Sequence, residues 1–303
     1  MRYCVVRYVK FLFRWTFCWI NYIFLLIKVR ILSVKPFNSK IVGIENSNVI
    51  VSLTSYHSRF PKLKLTLESL FRQITESNYS VLLILSEEDI KEYGGLPDGI
   101  DNFIKKGLVL KIVSENIKSF KKAFYSYDYN IPIVTADDDI YYPSYWLQFL
   151  LSEAEKQPNT VLAYRGHYAL SDGQVFHPYI RWMNWSNYNY INKPSYNFMP
   201  TGTSGVYYPV GSLKGLKESL DLFLSLCPHA DDFWLKYLTV KNGYMAKRIS
   251  LKNIHFQTTN ICEEDSLSSI NVILGKNDVQ FNNILQYDSS FNNLFLDESI
   301  NVK

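Results

Sequence analysis

Three consecutive carboxylates follow a run of β-forming residues in the stretch IPIVTADDDIYYP, residues 131–143. Asp137, Asp138 and Asp139 repel one another, and the adjacent sequence contains no cation that would neutralise them. Asp137 and Asp139 can face one ligand if the strand continues, or share it across a turn. Carboxylates are hard oxygen ligands that suit Mg²⁺ or Mn²⁺, and these ions bridge phosphate oxygens. The triplet therefore predicts a metal–phosphate site, with a solvated acidic turn or helix cap as the alternative.

A second acidic pair lies in LCPHADDFWLKYL, residues 226–238, at the predicted start of an amphipathic helix. Carboxylates are favoured there by the helix dipole and by the unpaired N–H groups of the first turn. An N-cap role explains one of the two residues, Asp231 and Asp232. The other residue is then interpreted as a general base.

Two glycines and a histidine are further candidates for this site. Gly202 and Gly205 in MPTGTSGVYYP are consistent with close approach of the backbone to a ligand, and equally with a plain turn between strands. His255 in NIHFQTTN could supply a neutral imidazole to the metal, and the alternative is a histidine that is simply hydrogen-bonded.

Continuous apolar segments alternate with helical patterns through the first half of the chain. In the first helical segment, Leu63, Leu67 and Leu70 recur at helical spacing after Pro61. Apolar strands that alternate with helices predict an α/β fold with a mostly parallel sheet, covered on both faces. Ligands bind such sheets at the carboxyl ends of the strands, so the acidic triplet is expected to point into a cleft. The predicted strands are residues 48–55, 79–86, 108–113 and 131–136.

The pattern becomes less regular after residue 161. Short strand candidates are separated by Gly, Pro and Asn, and two helical stretches follow at about 211–226 and 230–240. We expect a mixed second half that folds onto the same sheet.

Length and charge favour one catalytic domain that does not bind nucleic acid. The chain has 303 residues and a formal net charge of +4. The first thirty residues carry six basic side chains and no acid, so the remainder is close to neutral. The cysteines show neither metal-site spacing nor a disulfide framework, which favours a reducing compartment. They are Cys4, Cys18, Cys227 and Cys262.

The N-terminal segment predicts attachment to a membrane. Residues 15–27, WTFCWINYIFLLI, are apolar between basic flanks, and as a helix they rise only ~20 Å against a ~30 Å hydrocarbon core. Basic flanks with Trp and Tyr favour a helix that lies in an anionic leaflet. A marginal single span and a buried core helix are the alternatives. The expected location is the cytoplasmic face of the bacterial inner membrane.

Three stretches together resemble the GT-A glycosyltransferases, more narrowly the family 2-like type of bacterial cell-surface polysaccharide synthesis. VIVSLTSYHSRFPKLKLTLESLFRQ resembles the first strand and helix of that family, VTADDDIYYP its DxD motif, and HADDFWL the acidic motif that opens the helix of the catalytic base. The resemblance covers about residues 48–247. It implies a GT-A-like catalytic domain over 45–303, with a nucleotide-binding half at about 45–160 and an acceptor half at about 161–303, behind a membrane-associating helix within 1–35.

The resemblance also implies roles for individual residues. Asp139 would ligate the Mn²⁺ or Mg²⁺ bound to the donor diphosphate, and Asp137 would contact the ribose or help to orient the metal. Asp232 or Asp231 would take the proton from the acceptor hydroxyl. Arg165, His167, Gly202 and Gly205 would face the sugar or the acceptor. The residues expected at the nucleotide sugar are Thr54, Ser55, Arg59, Lys121, Lys122, Asp137 and Asp138.

The implied activity is metal-dependent, inverting transfer of a sugar from a nucleotide-diphosphate sugar to a saccharide or glycolipid acceptor. A metal-dependent phosphoesterase is one rival, with a binuclear centre built from Asp137, Asp139, His229, Asp231 and His255. A non-catalytic, membrane-associated GT-A-like binding protein is the other rival.

Overall fold

A computed structural model describes residue 16 and residues 19–31, 37, 40–259 and 275–302. Its centre is a seven-stranded sheet. The strands of this sheet are β1 (Val49–Thr54), β2 (Tyr79–Ser86), β3 (Leu108–Val113), β4 (Ile133–Ala136), β6 (Thr160–Ala163), β10 (Val206–Tyr208) and β11 (Met245–Arg248). Their order across the sheet is β11-β6-β10-β4-β1-β2-β3.

The sheet is mostly parallel. β1 pairs in parallel with both β2 and β4, and the β2–β3 and β6–β11 pairs are also parallel. Only β10 runs antiparallel, between β4 and β6. The predicted α/β class and parallel core are confirmed, and strands from both predicted halves lie in one sheet.

Short strands and helices complete the described structure. The short strands are β5 (Ile140–Tyr141), β7 (Gly166–Tyr168), β8 (Leu170–Ser171), β9 (Phe198–Pro200), β12 (Gln257–Thr258) and β13 (Ile300–Asn301). The helices are α1 (19–31), α2 (Phe60–Leu70), α3 (Glu87–Tyr93), α4 (Ile100–Ile104), α5 (Lys121–Phe124), α6 (Trp146–Lys156), α7 (Tyr179–Tyr188), α8 (Leu220–Leu226), α9 (Asp231–Lys241), α10 (Lys276–Tyr287) and α11 (Ser289–Asp297).

Apolar side chains on the two faces of the sheet build separate clusters, and the two largest lie on opposite faces of β4 and β6. Val134 and Leu162 pack with the helices α2 and α6, whereas Ile133 and Val161 pack with α9, α10 and α11. Successive residues of a strand point to opposite faces, so a continuous apolar run serves both faces at once. Every residue of β2 is buried for this reason.

The described part of the N-terminus is the helix α1. Residues 1–15, 17–18 and 32–35 of the predicted membrane-associating segment 1–35 lie outside the described residues, so Cys4 and Cys18 do too. Cys262 is also outside the described residues. Cys227 is a buried free thiol. No helix in the described ranges has the length and apolar character needed to cross a bilayer.

Candidate active site

The two predicted acidic motifs meet at the carboxyl end of β4. Asp137 directly follows β4, and Asp231 and Asp232 begin α9. The strand order places β4 between β1 and β10, so the loops after β1 and before β10 flank the same point. Parallel strands bring their carboxyl ends to one edge of a sheet, and the motifs converge there although they lie far apart in sequence.

Asp138, the central member of the triplet, is held by the loop that follows β1. Its side chain is 5% exposed, and Arg59 Nη1 lies 2.7 Å from Oδ1 while Ser55 Oγ donates to Oδ2 at 2.5 Å. Arg59 Nη1 also lies 3.2 Å from Asp139 Oδ2. Burial lowers the pKa of Arg59, but the charges of Asp138 and Asp139 outweigh it and raise that pKa above its ordinary value. Arg59 therefore supplies part of the positive charge that the sequence analysis assigned to a metal.

Lys122 on α5 lies between the two acidic motifs. Its Nζ is 2.8 Å from Asp137 Oδ1 and 3.6 Å from Asp231 Oδ2, and the lysine side chain is only 6% exposed. Burial alone would lower the pKa of Lys122, but Asp137, Asp231 and Asp232 together raise it well above the ordinary value. The ammonium is therefore a second internal cation of the site.

Asp231 and Asp232 have different surroundings at the start of α9. Ser119 Oγ donates to Asp231 Oδ1 at 2.8 Å. The N–H of Gly202 donates to both oxygens of Asp232, at 3.0 and 3.1 Å. Burial and the neighbouring Asp231 raise the pKa of Asp232 to about 7, against the opposing effects of Lys122 and the Gly202 N–H. A carboxyl group that titrates near neutral pH is suited to general-base catalysis, which favours Asp232 over Asp231.

The two predicted glycines differ in what they approach. A Cβ at Gly202 would lie 3.1 Å from Lys122 Nζ and 3.3 Å from Asp232 Oδ1, so this glycine opens the space between the acidic groups. Gly205 has φ +95°, and a Cβ there would lie 2.5 Å from the indole of Trp146. The close approach at Gly205 is thus to a core side chain, and this contact accounts for a glycine at the position without a ligand.

The predicted nucleotide residues divide between two clusters. Thr54 Oγ1 donates to the Ile84 carbonyl at 2.7 Å, which ties the end of β1 to β2. Lys121 Nζ lies 3.2 Å from Asp89 Oδ2 and 3.1 Å from Asn116 Oδ1, whereas Lys122 Nζ contacts Asp137 and Asp231. Burial lowers the pKa of Lys121 and outweighs the raising effect of Asp89.

The sequence analysis missed Asp89 and Asn116, which contact Lys121, and His57, which contacts Asp89. Asp89 accepts from Ser86 Oγ, and His57 Nδ1 lies 3.3 Å from Asp89 Oδ1. Asp89 is in the first turn of α3, immediately after β2. The sequence could have indicated Asp89 as a site residue, because it follows the carboxyl end of a predicted parallel strand.

Arg165, His167 and His255 do not join the acidic groups in the described structure. Arg165 donates from Nη1 to Thr201 Oγ1 at 2.8 Å and from Nε to His255 Nε2 at 3.3 Å. His167 is fully buried against Tyr179, and burial, followed by the charge of Arg165, lowers its pKa well below the ordinary value. His167 is thus enclosed by core side chains, and its role at the sugar stays a prediction.

The predicted metal ligands Asp137, Asp139 and His255 stay a prediction. The described ranges contain no group of three or more His, Cys, Asp or Glu side chains placed to hold a metal ion, and the imidazole of His255 faces Arg165. Asp137 and Asp139 still fit a hard cation in part, since their side chains are 25% and 22% exposed beside the buried Asp138. A divalent ion bound by one or two carboxylates takes its remaining ligands from phosphate and water.

The phosphoesterase rival requires five side chains around two metal ions. Within the described ranges this centre is not assembled, since His229 Nδ1 lies 3.2 Å from Lys118 Nζ and His255 contacts Arg165. That hypothesis is therefore not retained.

Comparisons with known proteins return structural neighbours but no sequence relatives. No protein-family model and no curated protein matches the chain. A mannosyltransferase, PcManGT from Pyrobaculum calidifontis in complex with GDP-Man and Mn²⁺, is similar over 94% of this chain and 77% of its own, with 14% identity and a TM-score of 0.48. S. aureus TarS 1–349 with UDP-GlcNAc is similar over 82% of this chain and 70% of its own, with 13% identity and a TM-score of 0.47. At these values the similarities do not establish a function for this chain.

Proposed function

We propose that this chain is a glycosyltransferase that moves a sugar from a nucleotide-diphosphate sugar to a saccharide or glycolipid acceptor in cell-surface polysaccharide synthesis. The observation that carries the proposal is the convergence of Asp137, Asp231 and Asp232 around Lys122 at the carboxyl end of β4. The arrangement places a carboxyl group with a pKa of about 7 beside buried cations. Such a carboxyl group can activate an acceptor hydroxyl, and the cations can stabilise a departing diphosphate.

Asp232 is the proposed general base. An acceptor hydroxyl is a poor nucleophile, and a carboxylate within hydrogen-bond reach removes its proton as the new bond forms. The bifurcated hydrogen bond from the Gly202 N–H to both carboxylate oxygens fixes the orientation of Asp232. A base that acts opposite the departing diphosphate implies inversion at the anomeric carbon.

Arg59 and Lys122 are the proposed source of positive charge near the departing diphosphate. Both are largely buried, and fixed charges in a water-poor site stabilise developing negative charge strongly. Asp139 and Asp137 would hold Mg²⁺ or Mn²⁺ together with the phosphates. When bound, the ion would act as a Lewis acid on the leaving group.

The test is transfer by the purified protein from a panel of GDP- and UDP-sugars to mixed saccharide acceptors, with Mn²⁺, with Mg²⁺ and with EDTA. We expect acceptor-dependent release of nucleoside diphosphate that EDTA abolishes. Donor binding should also raise the melting temperature, by an amount equivalent to about 2.7 kcal/mol at a hundredfold excess over Kd.

Asp139→Ala is the critical variant for this test. It should lose Mn²⁺-dependent donor binding and turnover while keeping the melting temperature of the free protein within a few degrees. Donor binding without turnover in the wild-type chain would instead identify the non-catalytic binding protein, and no binding of any nucleotide sugar would refute the proposal.

A further inference from the structure

Helix α1 has an apolar face that points away from the protein. Ile20, Phe24, Ile27 and Ile31 are 50%, 66%, 49% and 60% exposed, and Ile23 beside them is 51% exposed. The spacing of 4, 3 and 4 residues aligns these side chains into one stripe along the helix. An exposed stripe of large apolar side chains is typical of a surface that binds a membrane or another protein.

The opposite face of α1 is packed on the catalytic domain. Leu25 is 1% exposed and packs with Leu65 of α2 and Tyr141 of β5, with Tyr22 and Val29 beside it. Lys28 Nζ lies 4.6 Å from the centre of the Tyr141 ring. Because one side of the helix is held against protein along its length, lipid can surround only the other side. This geometry corresponds to a helix that lies along an interface.

Basic residues border the apolar stripe. At 3.6 residues per turn, Lys28 and Arg30 fall roughly a quarter turn to either side of it. Residues 19–31 contain no acid, and the preceding sequence adds Arg2, Arg7, Lys10 and Arg14, also without an acid. Apolar side chains between flanking cations match the acyl boundary and the anionic headgroups of a bilayer surface.

We propose that the outer face of α1 docks the protein, parallel to the membrane plane, on an anionic lipid surface, and that this places the candidate site beside a lipid-borne acceptor. Tyr141 lies two residues beyond Asp139 in the chain, and Gln257 Nε2 donates to the Asn21 carbonyl at 3.0 Å. Gln257 belongs to β12, which pairs with β5. Helix α1 therefore contacts β5, the short strand that directly follows the acidic triplet in sequence, and the strand that is paired with it. The statement about the acceptor rests on the proposed function, whereas the docking surface does not.

The test is flotation of the full chain with vesicles of phosphatidylcholine, with and without phosphatidylglycerol. Wild type should float with the anionic vesicles, and higher salt should weaken this binding. The triple variant Ile20→Ser, Phe24→Ser and Ile27→Ser should lower the vesicle partition coefficient by at least a hundredfold, since each lost apolar contact is worth roughly tenfold. The matched control, Ile112→Ser with Val279→Ser, removes exposed apolar side chains elsewhere and should bind as wild type does.

The outcomes distinguish the membrane-docking proposal from the proposed glycosyltransferase activity. Melting temperature and nucleotide-sugar binding in solution should be unchanged in the triple variant, because its substitutions are exposed. Equal flotation of wild type and triple variant would overturn the docking surface even if sugar transfer is intact. A wild-type dimer that becomes monomeric in the triple variant, without vesicle binding by either protein, would show that a second copy covers the stripe. Vesicle binding without sugar transfer would uphold the docking surface and refute only the proposed function.

Discussion

Asp231 and Asp232 are adjacent carboxylates that the fold has given different environments. Asp231 accepts from Ser119 Oγ and faces Lys122, whereas Asp232 receives the Gly202 N–H on both oxygens. Burial and the charge of Asp231 raise the pKa of Asp232 to about 7. One member of the pair is thus ready to exchange a proton near neutral pH.

The pH dependence of turnover tests the role of Asp232. A base acts in its ionised form, so kcat/KM should rise as pH increases through about 7 and level off above it. Asp232→Asn should lose ~10²–10⁴-fold in kcat and should also lose this limb of the profile. Donor binding, measured by calorimetry, should be retained. Asp231→Asn is the matched control, and a larger loss in that variant would reassign the base.

At the scale of elements, the connection from β9 to β10 positions both a site group and a core group. The chain turns at 202–204, presents the Gly202 N–H to Asp232, and then passes Gly205 beneath Trp146. Trp146 Nε1 also donates to the Ser204 carbonyl at 2.8 Å, which holds the turn against α6. The position of the Gly202 N–H, which donates to Asp232, therefore depends on the packing of Ser204 and Gly205 against Trp146.

Gly205→Ala tests this dependence. The new Cβ meets both an unfavourable φ of +95° and the Trp146 ring at 2.5 Å, so we expect a loss of about 3 kcal/mol in the free energy of unfolding. Gly243→Ala is the matched control, because its φ is +80° but no atom lies within 4 Å, and it should cost about 1 kcal/mol. Urea titration measures both values. Equal losses would show that the Trp146 contact is unimportant.

At the scale of the whole molecule, folding brings cations to carboxylates that have none in their local sequence. Arg59 lies 79 residues from Asp138, and Lys122 lies 15 residues from Asp137 and more than a hundred from Asp231. These contacts join the loop after β1, the helix α5, the end of β4 and the start of α9. The electrostatic balance of the site is therefore a property of the assembled sheet.

Removing the Arg59 cation should destabilise the protein. Arg59→Met leaves the buried Asp138 carboxylate without its main charge partner, and we expect a loss of about 3 kcal/mol in the free energy of unfolding. Lys156→Gln, which breaks an exposed pair with Glu153, should change stability by about 0.5 kcal/mol or less. Chemical denaturation compares the two variants. Adding Asp138→Asn to Arg59→Met should recover part of the loss, and an unchanged or larger loss would argue against the charge explanation.

The amino-acid sequence by itself determined the strands β1 to β4 of the central sheet and the positions of the two acidic motifs. Strand β3 was predicted with its observed ends, and β2 likewise, because continuous apolar runs between helical patterns are typical of strands buried on both faces. The acidic triplet was predicted at the carboxyl end of a strand because Asp137 directly follows such a run.

Only the tertiary structure decided which groups meet the carboxylates. The sequence assigned the neutralising charge to a metal with His255 as a ligand, whereas folding places Arg59 and Lys122 against the acidic groups and turns His255 to Arg165. Periodicity and composition report on neighbours along the chain. The partners of a buried charge are set by loops that meet across the sheet edge, and their distances follow from strand order and packing.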